Sequence, residues 1–242
     1  YIRTSLPEER AYLYSVVVPV LDEEDLRVSV ESTLEENVPL SVSEAVFDYT
    51  IVGPQSFQGR PGTKVTVSVL PEKVVTEYLN IFRSAGFEPF HFEIESQAIA
   101  KAILPKDDTR VCLIVNFMKE KIGFYISDAG AVSFTSTTAV TISDGGPYAP
   151  LADAAKKIFL YWQARADQRN EKVNPITHII LVGERSLEVG VAEFLAQTFE
   201  VQSVIADVWQ NAFSLRDYIP EISKKDSLSY ATAIGLALHR KL

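Results

Sequence analysis

The chain has 242 residues, of which 47% are hydrophobic and 23% charged, and its formal net charge at pH 7 is −9. This is a globular composition, with enough apolar side chains for one large core or two medium ones. The negative charge excludes a general electrostatic attraction to nucleic acid or anionic lipid. Cys112 is the one cysteine, so a disulfide within the chain is excluded, and no apolar run approaches the roughly 18 residues that span a bilayer. We expect a globular protein of a reducing compartment.

The first sixty residues predict a small β-α-β unit. Residues 11–18 and 44–52 are β-prone runs with alternating side chains, which is typical of strands. Between them, Asp22 is placed to N-cap a helix over residues 22–36. The buried side of that helix is predicted from residues four apart: Leu26, Val30 and Leu34. Residues 54–62 are rich in glycine and proline and poor in apolar residues, so we expect a loop and a subdomain boundary there.

The next part of the chain predicts a β-α-β-α unit. Residues 63–70 alternate with valines on one side and predict a strand. Pro71 begins a helix that stops at Gly86, a residue suited to the position after a helix C-terminus. A strand over residues 90–94 passes into a helix over 95–103. The polar residues 106–108 then predict a hinge-like link.

The last part of the chain begins with strands in succession and continues as alternating helices and strands. The predicted elements are strands at 110–117, 121–127 and 131–138, a helix at 151–166, a strand at 177–182, a helix at 186–199 and a strand at 201–205. Asp128-Ala129-Gly130 predicts a hairpin turn. The order from residue 110 is therefore β-β-β-α-β-α.

The terminal helix, predicted within residues 226–238, carries small residues at helical spacing, among them Ala231 and Gly235. A glycine inside a helix costs about 1 kcal/mol relative to alanine. A helix that keeps such a residue usually has another element close to its backbone. We therefore expect a close helix contact at Gly235.

The β-β-β-α-β-α order resembles the actin-like fold, which contains this unit twice, and more narrowly the PilM family of type IV pilus assembly proteins. The segments that carry the resemblance are Ser5-Leu6-Pro7, residues 37–40, 47–49 and 85–89, Glu93, Glu95-Ser96, Trp209, Phe213 and residues 219–222 and 230–237. The resemblance rests on their order and spacing, because no single segment is specific.

The resemblance implies an α/β, actin-like (ribonuclease H-like), two-lobed fold with an inserted β-α-β subdomain. On this reading residues 5–53 are the inserted subdomain, residues 63–104 the remainder of the first core lobe, and residues 110–242 the second core lobe. The first lobe is incomplete, because only the final β-α-β-α of its unit precedes Arg110. We expect that the native protein has a further N-terminal segment.

Proteins of this fold bind nucleotide between their lobes, and this chain departs from the pattern at the corresponding positions. An Asp-x-Gly turn holds phosphate and orients a metal ion. Here it aligns with Asn116-Phe117-Met118, which lacks both the carboxylate and the glycine. The adenosine-side turn, normally Gly-Gly, aligns with Gly183-Glu184, followed by Arg185. ATP is the cofactor that the resemblance implies, but we expect a degenerate site with weak or absent ATP binding and no catalytic residue.

The resemblance implies a scaffold that sits in the cytoplasm and meets the inner membrane through partners. It would bind the cytosolic tail of a PilN-like inner-membrane protein between the first core lobe and the inserted subdomain, and connect it to the pilus motor and platform proteins. One alternative is an ATPase or sugar kinase of the same fold. Another is an FtsA-like cell-division protein, which polymerises and binds membrane through an amphipathic tail.

Other polar residues are candidates for a metal site or a nucleophile. His91, Glu93 and Glu95 alternate along a strand and could hold a metal ion, but we favour a strand end passing into a helix, and expect no metal. Ser186 lies outside any G-x-S-x-G motif and is predicted to N-cap a helix rather than act as a nucleophile.

Three further features are assigned plain structural roles. Asp22-Glu23-Glu24-Asp25 could form an acidic recognition patch, but a solvated helix start explains it more simply. Gly145-Gly146 fits a phosphate-contacting loop or a plain turn equally well. His178 and His239 have no partnered ligand spacing, and we expect structural or surface roles for them.

Overall fold

The computed structural model describes residues 1–20, 22–57, 59–139, 148–169, 174–214 and 216–238. In chain order the strands are β1 (Ile2–Leu6), β2 (Tyr12–Pro19), β3 (Ala45–Phe57), β4 (Arg60–Pro71), β5 (Pro89–Ile94), β6 (Val111–Phe117), β7 (Ile122–Asp128), β8 (Ala131–Thr138), β9 (His178–Gly183) and β10 (Gln202–Ile205). The helices are α1 (Glu23–Glu31), α2 (Leu34–Asn37), α3 (Glu72–Ser84), α4 (Glu95–Ile103), α5 (Ala149–Arg169), α6 (Val191–Phe199), α7 (Lys224–Ser227) and α8 (Ala231–Ala237). Among the described residues, no helix combines the length and the apolar composition needed to span a bilayer.

The second half of the chain forms a five-stranded sheet in the order β10-β9-β6-β7-β8. Strands β6, β7 and β8 pair antiparallel, whereas β9 runs parallel to β6 and to β10. One face of the sheet buries an apolar cluster with α5 and α6, and the other buries a cluster with α4 and the segment that leads to α8. The predicted β-β-β-α-β-α order is confirmed in this sheet.

A three-stranded antiparallel sheet in the order β2-β4-β3 forms with α1 and α2 a unit that we call the module, residues 12–71. Valines of β4 pack with apolar residues of β2, α1 and α2: Tyr14, Val18, Leu26, Val30, Leu34, Val38, Val65, Val67 and Val69. Asp22 caps α1 as predicted, because its Oδ1 accepts a hydrogen bond of 3.0 Å from the backbone N–H of Asp25. The module therefore has its own core.

Two details of this region differ from the prediction. The helix expected over residues 22–36 is divided into α1 and α2. Residues 54–62 form no loop subdomain boundary, because β3 and β4 pair there as a hairpin, from Pro54 with Thr63 to Phe57 with Arg60. Strand 63–70, which we assigned to the first core lobe, is therefore the central strand of the module. The other predicted domain boundaries stay predictions.

The part of the chain predicted as the first lobe contains a short parallel pair, β1 with β5, together with α3 and α4. Gly86 follows α3 with a φ of +83°, as expected for a residue that ends a helix. Arg3 of β1 reaches the end of α8, where its Nη1 donates to the carbonyl oxygen of Leu236 at 3.0 Å. This contact joins β1 to α8.

Helices α4 and α8 cross at a distance that only glycine permits. A Cβ atom built on Gly235 would lie 1.8 Å from the carbonyl oxygen of Ala98. The close contact expected at Gly235 is therefore confirmed, with α4 as the neighbour. The continuous terminal helix that we expected is instead α7, a 3-10 turn at Leu228–Tyr230 and α8.

Candidate functional site

The parallel pairing of β6 and β9 brings the two predicted nucleotide-site segments to the same edge of the sheet. Asn116 pairs with Val182, and Phe117 with Gly183. Asn116-Phe117-Met118 and Gly183-Glu184-Arg185 therefore lie at adjacent strand ends. This edge, beyond the carboxyl ends of parallel strands, is where α/β sheets commonly place ligands.

Gly183 is required by the backbone around it. Its φ is +95°, and an added Cβ would lie 2.3 Å from the carbonyl oxygen of Phe117. Ser186 then closes the turn, since its hydroxyl donates to the carbonyl oxygen of Gly183 at 2.8 Å. Ser186 was wrongly predicted as a helix N-cap, because α6 begins later, after Gly190. Strand packing thus explains both residues without a ligand.

The remaining residues of the two predicted nucleotide-site segments are accounted for by structural contacts or by exposure to solvent. Phe117 is buried in the core cluster beneath α5 and α6. The backbone N–H of Met118 donates to the carbonyl oxygen of Lys121 at 3.0 Å, which closes the β6–β7 hairpin. Glu184 is exposed, and Arg185 forms an ion pair with Glu188. Glu184 thus places a negative charge at this edge, as its sequence position suggested.

Tyr125 fills the space beside Asn116. The tyrosine is fully buried, and its ring lies over Gly123, where an added Cβ would be 2.3 Å from the hydroxyl oxygen. The side-chain amide of Asn116 donates to that hydroxyl at 3.4 Å. Burial raises the pKa of Tyr125, so the hydroxyl keeps its proton. The position that the resemblance assigns to a phosphate turn is therefore bordered by a tyrosine of the protein itself.

Two carboxylates, those of the buried Glu8 and the half-buried Glu95, lie in the same polar cluster. Glu8 is 5% exposed and accepts hydrogen bonds of 2.9 Å from the backbone N–H and the hydroxyl of Ser96, at the start of α4. Glu95 accepts from the hydroxyl of Thr232 at 3.3 Å, and the Asn116 side chain is a further partner. Burial raises the pKa of both carboxyl groups above the ordinary value of 4.5, and the charge of Glu95 adds to the effect on Glu8. Their negative potential disfavours a phosphate at this edge.

The raised pKa values of Glu8 and Glu95 predict that the protein becomes more stable on mild acidification. A folded state with raised carboxyl pKa values binds more protons than the unfolded state above about pH 4.5, so stability falls as pH rises through that window. We expect urea melts to give a higher free energy of unfolding at about pH 5 than at about pH 7. Glu8→Gln should flatten this slope.

Glu88→Gln is the matched control for this prediction. Its hydrogen bond with Arg83 lowers the pKa of Glu88, so that this carboxyl titrates below the window and the variant should keep the wild-type slope. An equal slope in the wild type and in Glu8→Gln would contradict the assignment.

The alternating residues His91, Glu93 and Glu95 do not converge on a metal ion. Glu93 accepts from the ammonium group of Lys101 at 2.6 Å, and Glu95 contacts Thr232 instead. Within the part of the chain that the structure describes, no group of three potential ligands is suited to a metal. His178 bonds the hydroxyl of Thr177, whereas Gly145-Gly146 and His239 lie outside the described residues.

The outer edge of β3 is a second candidate site. Among the described residues, β3 pairs with β4 alone, and the opposite outer strand, β2, packs against β8 more extensively than β3 does. Ile51 on β3 is 58% exposed, and the backbone N–H of Tyr49 bonds the carboxylate of the preceding residue, Asp48, at 2.9 Å rather than another strand. Between residues 12 and 71 there are nine acidic and three basic residues. This edge is thus exposed, belongs to a module with an excess of acidic residues, and leaves backbone groups available to a further strand.

Helix α3 borders the module near this edge with an incompletely covered apolar side. It contacts β3 and β4, and none of its residues is buried. Its half-buried apolar residues are Val74, Val75, Tyr78, Leu79 and Phe82. An extended peptide between α3 and β3 would meet apolar side chains on one side and backbone groups on the other.

Tyr125 and Glu8 belong to the polar cluster but were not predicted from the sequence as site residues. A glycine that precedes an aromatic residue on the same face of a buried strand, as Gly123 precedes Tyr125, is a signal for a ring lying over the backbone. No comparable signal exists for Glu8, which reaches its partner Ser96 across 88 residues.

Comparison with known proteins supports the fold. No family model matches the chain, and no curated protein matches it. Among solved structures, the chain is similar to one in the PilM-PilN type IV pilus biogenesis complex, with a TM-score of 0.71 and 18% identity, over 97% of this chain and 78% of that chain.

Two further structures are similar with a TM-score of 0.45. They are the cytoplasmic domain of EpsL, an inner-membrane component of the Vibrio cholerae type II secretion system, and Spiroplasma citri MreB5 bound to ADP. Their identities are 13% and 11%, over 75% and 69% of this chain and 60% and 64% of theirs. The expected α/β fold of the actin-like, PilM-like kind is confirmed.

Proposed function

We propose that this protein is a scaffold of a type IV pilus assembly complex and binds the cytosolic tail of a PilN-like inner-membrane protein. The observation that carries the proposal is the fold shared with a chain of the PilM-PilN complex over almost the whole length. In this role the protein is cytoplasmic and reaches the inner membrane through its partners, which include the pilus motor and platform proteins. It positions other proteins and has no catalytic step.

The tail binds as an extended strand along the outer edge of β3, beside the apolar side of α3. Main-chain hydrogen bonds to an open edge provide affinity, and alternate side chains provide specificity. The excess of acidic residues in the module favours a tail with basic residues, which accelerate encounter. The nucleotide positions are degenerate in this proposal, because Tyr125 and the carboxylates of Glu8 and Glu95 lie beside them.

The test is a fluorescence titration of the labelled tail with the full chain and with the variant Ile51→Pro. Ile51 lies two positions from Tyr49 on the strand, so by alternation its N–H faces the open edge, and proline removes that donor without breaking the pairing with β4. We expect binding about tenfold weaker, the equivalent of roughly 1.4 kcal/mol, and a further decrease with salt.

The control variant is Ile51→Val, which keeps the N–H and should bind like the wild type. Circular dichroism and urea melts establish that both variants are folded. Equal affinity of the wild type and Ile51→Pro would exclude the β3 edge as the binding site.

A further inference from the structure

Near the points where the chain enters and leaves the module, Leu13 and Leu70 pack against apolar clusters of the rest of the protein, and the same face of the sheet also carries small polar side chains. The hydroxyl groups of Ser15 and Thr66 lie 3.2 Å apart and buried, and the hydroxyl of Ser68 accepts a 2.7 Å hydrogen bond from Gln97 of α4. The opposite face of the same sheet holds the valines of the module's own core. A unit with its own core and a partly polar contact surface can move as a body.

Both connections of the module lie at one end, which we call its base. Tyr12 at the start of β2 pairs with Val69 near the end of β4, so the chain enters and leaves at the same end. The base is anchored, because Glu8 bonds Ser96 of α4 and Glu9 forms an ion pair with Lys121 of the second lobe. The base therefore cannot separate without breaking buried contacts.

The other end of the module, which we call its tip, is the β3–β4 hairpin end where Phe57 pairs with Arg60. A charged pair connects this part of the module to the second lobe. The ammonium group of Lys64 lies 2.7 Å from a carboxylate oxygen of Asp128, at the β7–β8 turn of the second lobe, and the two side chains are 18% and 15% exposed. Lys64 is seven residues from Pro71, where β4 ends, which corresponds to about 23 Å along a strand. The pair therefore lies well away from the base, on the part of β4 nearer to the β3–β4 hairpin end.

The second lobe beside this pair shows incomplete hydrogen bonding. The hydroxyl groups of Ser127, next to Asp128, and of Ser133, on β8, are buried and have no hydrogen-bond partner among the residues that the structure describes. Buried hydroxyls without partners cost free energy. The contact region is therefore less well satisfied than a permanently closed core.

We propose that the module is a hinged arm whose tip is latched by the Lys64–Asp128 pair. When the pair breaks, the arm swings away from β8 about its anchored base while its own core stays intact. The proposal concerns how the module is held and is independent of the identity of any partner.

The test measures the distance between two spin labels by double electron–electron resonance on the full chain. The labels are attached at Arg60→Cys, near the tip, and Asp153→Cys, on α5, both exposed positions. The native Cys112 is fully buried, and burial raises the pKa of its thiol to about 11, so it escapes labelling at neutral pH. The latched arm should give one narrow distance distribution.

Lys64→Met and Asp128→Asn should each add a second, longer distance, and high salt should act in the same direction on the wild type. The exchanged pair, Lys64→Asp with Asp128→Lys, should restore the single distance. Lys73→Met is the matched control, because Lys73 forms an exposed pair with Glu77 within α3. Circular dichroism establishes that each variant is folded. An unchanged distribution in both single variants, or no restoration by the exchange, would overturn the proposal.

Discussion

Replacing Gly235 with alanine is expected to lower the free energy of unfolding by about 2 kcal/mol. The added Cβ would lie 1.8 Å from the carbonyl oxygen of Ala98, a backbone atom that cannot move without displacing α4. Alanine gains up to about 1 kcal/mol of helix propensity, so the clash must exceed that gain. For a chain of this size, we expect the melting temperature to fall by about 4–8 °C. Urea and thermal melts measure both quantities.

Ala233→Ser is the control for this substitution. Ala233 lies on the same helix but is exposed, so the change adds an atom without touching α4. Its melting temperature should stay close to that of the wild type. A Gly235→Ala protein as stable as the wild type would show that the α4–α8 crossing is looser than the structure indicates.

Mg-ATP is expected to leave the melting temperature of the protein unchanged. A ligand that binds with micromolar affinity at about a hundredfold excess over its dissociation constant would add about 2.7 kcal/mol, which corresponds to roughly 5–10 °C here. Asn116 supplies no carboxylate for the metal, Tyr125 fills the adjacent space, and the half-buried Glu95 adds negative charge. Each missing phosphate or metal contact costs about 1–3 kcal/mol, so two of them lower affinity at least tenfold.

Calorimetry with Mg-ATP provides the direct measurement, and Tyr125→Phe is the informative variant. Phenylalanine keeps the ring over Gly123 but loses the hydroxyl that accepts from Asn116, so it should bind no better than the wild type. A micromolar dissociation constant for either protein would refute the degenerate site.

Local signals in the sequence determined many of the elements. Asp22 predicted a helix start, Gly86 a helix end and Asp128-Ala129-Gly130 a hairpin turn, and the structure confirms all three. Each depends on hydrogen bonds or dihedral angles within a few residues, which the residue type itself dictates. The order of the elements predicted the actin-like fold for the same reason, since helix and strand periodicities are local.

The loop predicted at residues 54–62 is part of a strand hairpin in the structure. This error shows where local signals in the sequence mislead. Glycine and proline usually interrupt strands, but Pro54 lies on the outer strand β3, and Pro61 pairs beyond the end of β2. A proline tolerates such positions because its missing N–H would have faced no further strand. Whether a strand is at an edge is a property of the sheet, so the sequence alone could not decide it.

The contacts of the candidate-site residues were decided mainly by the tertiary structure. Asn116 and Gly183 were identified from the resemblance, and Gly235 predicted a close neighbour without its identity. Only the fold places the Ala98 carbonyl on Gly235, Tyr125 beside Asn116, and Glu8 on the start of α4. These contacts join residues from different elements, and a long-range contact leaves no periodic or turn signal in the chain. The sequence by itself thus determined the elements and their order, while the packing of those elements decided how the predicted nucleotide positions are occupied.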